Sequence, residues 1–146
     1  MDYLVSTLVI GAGATVVMDG WGMARSRVLG KPAMDYGLIG RWIANGPRER
    51  FRQQRIAATP PVRGERLIGW TAHYLTGIAF AGVLLALWGI DWARNPTLAP
   101  ALIVGIGSVA APLLVMQARV QSLVTHTVFG LGLYAAAWLQ SGLGRM

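Results

Sequence analysis

Cysteine is absent from this sequence. That excludes disulfides, thiolate metal sites and a cysteine nucleophile. Charge is scarce as well. Charged residues make up 13% of the chain, against about 25% in an ordinary soluble domain. No complete catalytic or cofactor motif is present, and no serine or threonine sits in a recognisable nucleophile setting. What remains is apolar: 54% of residues are hydrophobic and the mean hydropathy is +0.48. The 19 glycines and six tryptophans suit membrane helices, which use Gly for close approach and Trp at the interfaces.

The net charge of +7 raises the question of nucleic acid, and its distribution answers it. Ten of the 13 Lys and Arg lie between Arg25 and Arg66, with three acids, Asp35, Glu49 and Glu65. That stretch alone carries the whole excess, and no aromatic-basic motif accompanies it. One basic loop between apolar spans is the positive-inside pattern.

Four apolar runs follow: Leu4–Met23, Leu67–Trp88, Leu98–Met116 and Leu123–Leu139. Each approaches the ~20 residues that cross a ~30 Å hydrocarbon core. The first lacks a basic leader and is followed by basic residues, so it reads as a span and not as a signal peptide. The expected fold is all-α. It is a single membrane domain over residues 1–146, with four transmembrane helices as two tandem hairpins and a basic cytoplasmic loop over 24–66. Arg25, Arg27 and Lys31 follow the first span, Arg63 and Arg66 precede the second, and Arg119 lies between the third and fourth. These ends are expected on the cytoplasmic side, with both termini outside.

Within the loop, Tyr36–Asn45 places Ile39, Trp42 and Ile43 on one side and predicts a short interfacial helix ended by Pro47. Arg48–Ala57 predicts a second basic helical stretch, closed by Pro60-Pro61. Arg48, Arg50, Arg52 and Arg55 are its candidate contacts to anionic lipid head groups; a solvated basic loop is the plainer reading.

The two halves resemble each other. Gly11-Ala12-Gly13 in the first span corresponds to Gly105-Ile106-Gly107 in the third. His73 with Gly77 in the second corresponds to His126 with Gly130 in the fourth. This predicts a parallel repeat about the membrane normal. The Gly-X-Gly pieces are not dinucleotide sites, because the third glycine and the strand–turn–helix context are missing.

Three ionisable residues fall within the spans: Asp19, His73 and His126. Counted from the nearest cytoplasmic arginine, all three lie about 9–10 Å deep at 1.5 Å per residue. Pro112 lies at the same level and predicts a kink in the third span. Small or polar neighbours one turn away place each of the three on a bundle-facing side. Three readings stay open. The layer is a structural hydrogen-bonded cluster, a site for a proton, ion or small solute, or a metal or haem site, since two histidines and a carboxylate can bind a divalent metal.

A family resemblance joins these motifs. It is carried by Met18-Asp19-Gly20-Trp21-Gly22, Asp35-Tyr36-Gly37-Leu38-Ile39-Gly40-Arg41-Trp42, Pro60-Pro61-Val62 with Gly64-Glu65-Arg66, Gly69-Trp70-Thr71-Ala72-His73-Tyr74, Val115-Met116-Gln117, and Ser122-Leu123-Val124-Thr125-His126 with Phe129-Gly130. The chain resembles the bacterial membrane-protein family called domain of unknown function 2938. The resemblance implies a four-helix inner-membrane protein and supplies no activity. The family pattern has a proline and a Gly/Ala-rich stretch after the Met-Gln; here Gln117 runs almost directly into Arg119 and Ser122. The expected function is a non-enzymatic accessory or assembly subunit, or a homo-oligomer, since short Gly-rich spans leave little room for a private solute path. Its expected partners are the bilayer and other membrane subunits or itself.

Overall fold

A computed structural model of the protein describes residues 2–30, 34–45, 59–110 and 120–144. Their regular structure is helical throughout, with no strand among the described residues: α1 (Tyr3–Leu29), α2 (Tyr36–Asn45), α3 (Glu65–Trp88), α4 (Ile90–Arg94), α5 (Leu98–Gly107) and α6 (Val120–Leu143). Pro112, Arg48, Arg50, Arg52 and Arg55, the expected helical stretch at Arg48–Ala57 and the link through Gln117 and Arg119 lie outside the described residues.

Local chemistry sets the helix ends. Asp2 caps α1 by accepting from the Leu4 N–H at 3.0 Å. Gly30, at φ 60°, ends it in the left-handed conformation that glycine tolerates. The helix runs past the apolar limit at Met23 because Ala24, Arg25 and Arg27 are good helix formers. α2 has the bounds its sequence predicts, with the Asp35 carboxylate accepting from the Gly37 N–H at 2.9 Å. At the start of α3, the Glu65 carboxylate accepts from the Val62 N–H at 2.8 Å.

Three helices are long and apolar enough to cross a membrane: α1, α3 and the Ser122–Leu143 part of α6. α5 is apolar but spans only ten residues. The described helix therefore stops well short of the Leu98–Met116 run. Gly105 and Gly107 weaken it, and the Ser108 hydroxyl bonds back to the Gly105 carbonyl at 2.6 Å.

Large aliphatic side chains point outward from every long helix. Leu8, Val16, Leu75, Val83, Ile103, Leu131 and Leu139 are all exposed, whereas Ser6, Thr15 and Ser108 are buried. Water does not favour that arrangement over so much surface; hydrocarbon does. The interior joins Ile10, Leu84, Leu85 and Leu133 to small residues such as Ala14, Ala81 and Ala137.

Backbone-on-backbone crossings hold the bundle together. A Cβ at Gly11 would strike the backbone of Ile78, and one at Gly77 would strike the Thr15 hydroxyl, so α1 and α3 meet closely, with only small groups between them. A Cβ at Gly105 would strike Gly130, which joins α5 to α6 in the same way. On its other side α1 meets α6, where a Cβ at Gly132 would stand 2.9 Å from the Ala14 Cα. The Gln140 amide donates to Ser6 Oγ at 2.9 Å at one end of this contact. Tyr3 donates to the Gly82 carbonyl at 2.9 Å while Asp19 reaches His73, so α1 and α3 run antiparallel.

Candidate functional site

The site forms where α1, α2 and α3 meet at the loop end of the bundle. Position begins with glycine. A Cβ at Gly40 would collide with the Glu65 carbonyl, and one at Gly69 with the Tyr36 carbonyl, so α2 lies flush on the first turns of α3. Gly37 and Gly40 are the buried positions of α2. This contact brings the Tyr36 ring over His73, with centroids 4.3 Å apart and planes 29° from parallel. Trp70 also packs on Tyr36, 4.4 Å away between ring centroids.

Asp19 on α1 projects into this arrangement. Its Oδ1 lies 3.0 Å from Tyr36 Oη and 3.0 Å from His73 Nε2. Its Oδ2 accepts from Tyr74 Oη at 3.2 Å. Tyr36 Oη and His73 Nε2 are themselves 2.9 Å apart. With the carboxylate ionised, the proton count is determinate. A carboxylate only accepts, so the Tyr36 hydroxyl donates to Oδ1 and Nε2 of His73 must carry a hydrogen. That hydrogen is shared between Oδ1 and the phenol oxygen. Burial first, then the Asp19 charge, push the Tyr36 phenol above its ordinary range, so it stays a donor. The Asp19 and His73 side chains are 13% and 12% exposed, which makes a charge here costly unless it is paired.

A second anchor holds the far side of α2. The Arg41 guanidinium forks onto Glu65 with Nε at 2.8 Å and Nη2 at 2.7 Å, and Nη1 donates to the Thr59 carbonyl at 2.8 Å. A planar fork on a carboxylate is the stronger kind of ion pair.

Of the three residues singled out in the sequence, the structure joins two. Asp19 and His73 are in direct contact. His126 instead pairs with Ser108, at 2.6 Å between Nδ1 and Oγ. No hydrogen bond links it to Asp19 or His73 among the described residues. No group of three His, Cys, Asp or Glu among the described residues is placed to hold a metal ion. Tyr36, Tyr74 and Ser108 are partners that the sequence reading did not assign. Tyr74 was the most accessible of them, since it adjoins His73 and a buried carboxylate requires donors.

A family model described as Protein of unknown function (DUF2938) matches residues 8–120. That range contains Asp19, Tyr36, His73, Tyr74 and Ser108; His126 lies beyond it. No curated protein and no solved structure matches the chain.

Proposed function

The chain belongs to the DUF2938 family, and from that premise we propose that it is a small multi-pass protein of the bacterial inner membrane. In this reading it performs no chemistry of its own and serves as an accessory or assembly subunit, or as a homo-oligomer. The run Leu98–Met116, of which α5 is the described part, is read as a fourth span, and the basic loop as cytoplasmic. The equivalence of the two glycine crossings, Gly11 with Gly77 and Gly105 with Gly130, supports two tandem hairpins. So do the hydroxyls beside them, Thr15 donating to the Gly11 carbonyl and Ser108 to the Gly105 carbonyl.

One observation carries the non-enzymatic reading. The Asp19 carboxylate already receives donors from three side chains on two other helices. A carboxylate satisfied in this way holds elements together; a catalytic base keeps a lone pair aimed at its substrate. The bundle interior is likewise filled, by apolar side chains and close glycine crossings, which favours work at its outer faces. Extraction in a mild detergent, followed by mass measurement of the intact complex, tests this. The expected species is a homo-oligomer or a stoichiometric assembly with other membrane chains. A strict monomer that carries a bound solute would overturn the reading.

A second reading, a proton-, ion- or solute-handling protein or a metal or haem binder, draws on the ionisable Asp19–His73 contact inside a span. His126 enters that reading only through its Nε2, because Nδ1 is engaged by Ser108. Metal analysis and a visible absorption spectrum of the purified protein decide it. Stoichiometric metal or a Soret band would put this reading first.

A further inference from the structure

We propose that α2 is a strap whose Tyr36 end is held on the bundle by the negative charge of Asp19 and loosens when that charge is neutralised. The inference goes beyond the subunit reading and does not depend on it. α2 packs against α3 with Gly37 and Gly40 fully buried and Tyr36, Leu38, Ile39 and Trp42 partly buried. The glycine backbone itself removes little apolar area from water or lipid, so the apolar part of the docking comes from the Tyr36 ring stack and the partly buried side chains. Two polar anchors add to this, and each ends on a carboxylate: Tyr36 on Asp19, and Arg41 on Glu65.

The two anchors differ in kind. Arg41 and Glu65 form a forked ion pair, and Glu65 also takes the Val62 N–H. That anchor lies wholly between α2 and the start of α3. The Tyr36 anchor reaches α1. The groups facing Asp19 are Tyr36 from α2 and His73 and Tyr74 from α3. α6, packed on the other side of α1, carries His126, which Ser108 holds. A proton on the imidazole leaves the Nε2–H donor in place. A proton on Asp19 removes the strong acceptor on which three donors converge, and adds a fourth hydrogen to a site already supplied with them. Release therefore follows the carboxylate and not the imidazole. It uncovers the His73 and Trp70 faces that Tyr36 now covers.

Hydrogen–deuterium exchange of the full chain in lipid nanodiscs tests the strap directly. In the wild type, the α2 amides, corrected for the intrinsic rate, are expected to exchange faster as pH falls through the carboxylate range. Asp19→Asn keeps the side-chain shape and removes the charge. It is expected to raise α2 exchange by about tenfold at neutral pH, the loss typical of a hydrogen bond to a charged group, and to abolish the pH dependence. Tyr36→Phe keeps the ring stack and removes the hydroxyl, and is expected to open α2 without disturbing the amides of α3 beyond Gly77. Wild-type α2 exchange that is flat across the carboxylate range, unchanged exchange in both variants, or equal loosening of α1, α2 and α3 would each overturn the proposal.

Discussion

Asp19 and His73, 54 residues apart in sequence, meet at 3.0 Å between Oδ1 and Nε2. The contact joins two helices whose large apolar side chains are exposed elsewhere, and it lies at one end of the α1–α3 crossing. Because the carboxylate is only 13% exposed, removing either partner strands the other. Asp19→Ala is expected to lower bundle stability by about 1–3 kcal/mol, and Asp19→Asn by less. Unfolding in mixed micelles measures both. Equal losses for Ala and Asn would show that charge alone sets the stability.

The two histidines are expected to engage their partners through hydrogens on different ring nitrogens. His73 carries its hydrogen on Nε2, where the carboxylate accepts it. The Ser108 hydroxyl gives its one proton to the Gly105 carbonyl, so its oxygen accepts from Nδ1–H of His126. Nitrogen-15 shifts of the labelled imidazoles distinguish these states; matching tautomers would refute the assignment.

Glycines should divide sharply by position. Gly69→Ala drives a methyl into the Tyr36 carbonyl and is expected to cost about 1–3 kcal/mol, as overpacking does. Gly20→Ala meets nothing within 4 Å and is expected to be neutral or to stabilise by up to ~1 kcal/mol through helix propensity. The same unfolding assay ranks the pair.

The α1–α3 crossing offers a compensation test. Gly77→Ala collides with the Thr15 hydroxyl. Thr15→Ala removes that oxygen, so the double variant should recover most of the stability that Gly77→Ala loses. A double-mutant cycle is expected to show coupling of about 0.5–3 kcal/mol, the range for residues in contact. Purely additive effects would mean that the helices part instead of sharing the space.

Orientation is tested by labelling. In intact cells, a cysteine at Gln53 should resist a membrane-impermeant thiol reagent, while one at Asn95 reacts. The reverse pattern would invert the topology drawn from the ten basic residues between Arg25 and Arg66.

The three helices long and apolar enough to cross a membrane were legible because the signal is bulk apolarity over some twenty residues. α2 was legible because it carries its own period and its own breaker, Pro47. The end of α1 was not, since a search for apolar runs stops at Met23 while helix propensity continues to Leu29. The site was legible only in part. Asp19 and His73 stand out as ionisable residues at one depth. Tyr36 does not, because at the first position of an interfacial helix it resembles any boundary tyrosine, and its partner lies 17 residues back. His126 takes the Ser108 hydroxyl, 18 residues away, as its hydrogen-bond partner. Equal depth sets the level of a side chain in the membrane but not the neighbour it meets there.

The seating of α1 between α3 and α6 also bears on how the protein is made. Ser6 finds Gln140 134 residues later, and Ala14 is covered by Gly132. A chain threaded into the bilayer in order from its N-terminus emits α1 first and α6 last. Throughout that interval the small, hydroxyl-bearing side of α1 faces whatever the insertion machinery provides. Its nascent hairpin with α3 can form early, but completion waits for the final helix. Truncation before α6 should therefore leave an inserted but unfinished hairpin exposed to membrane proteolysis, whereas supplying α6 as a separate segment should restore it.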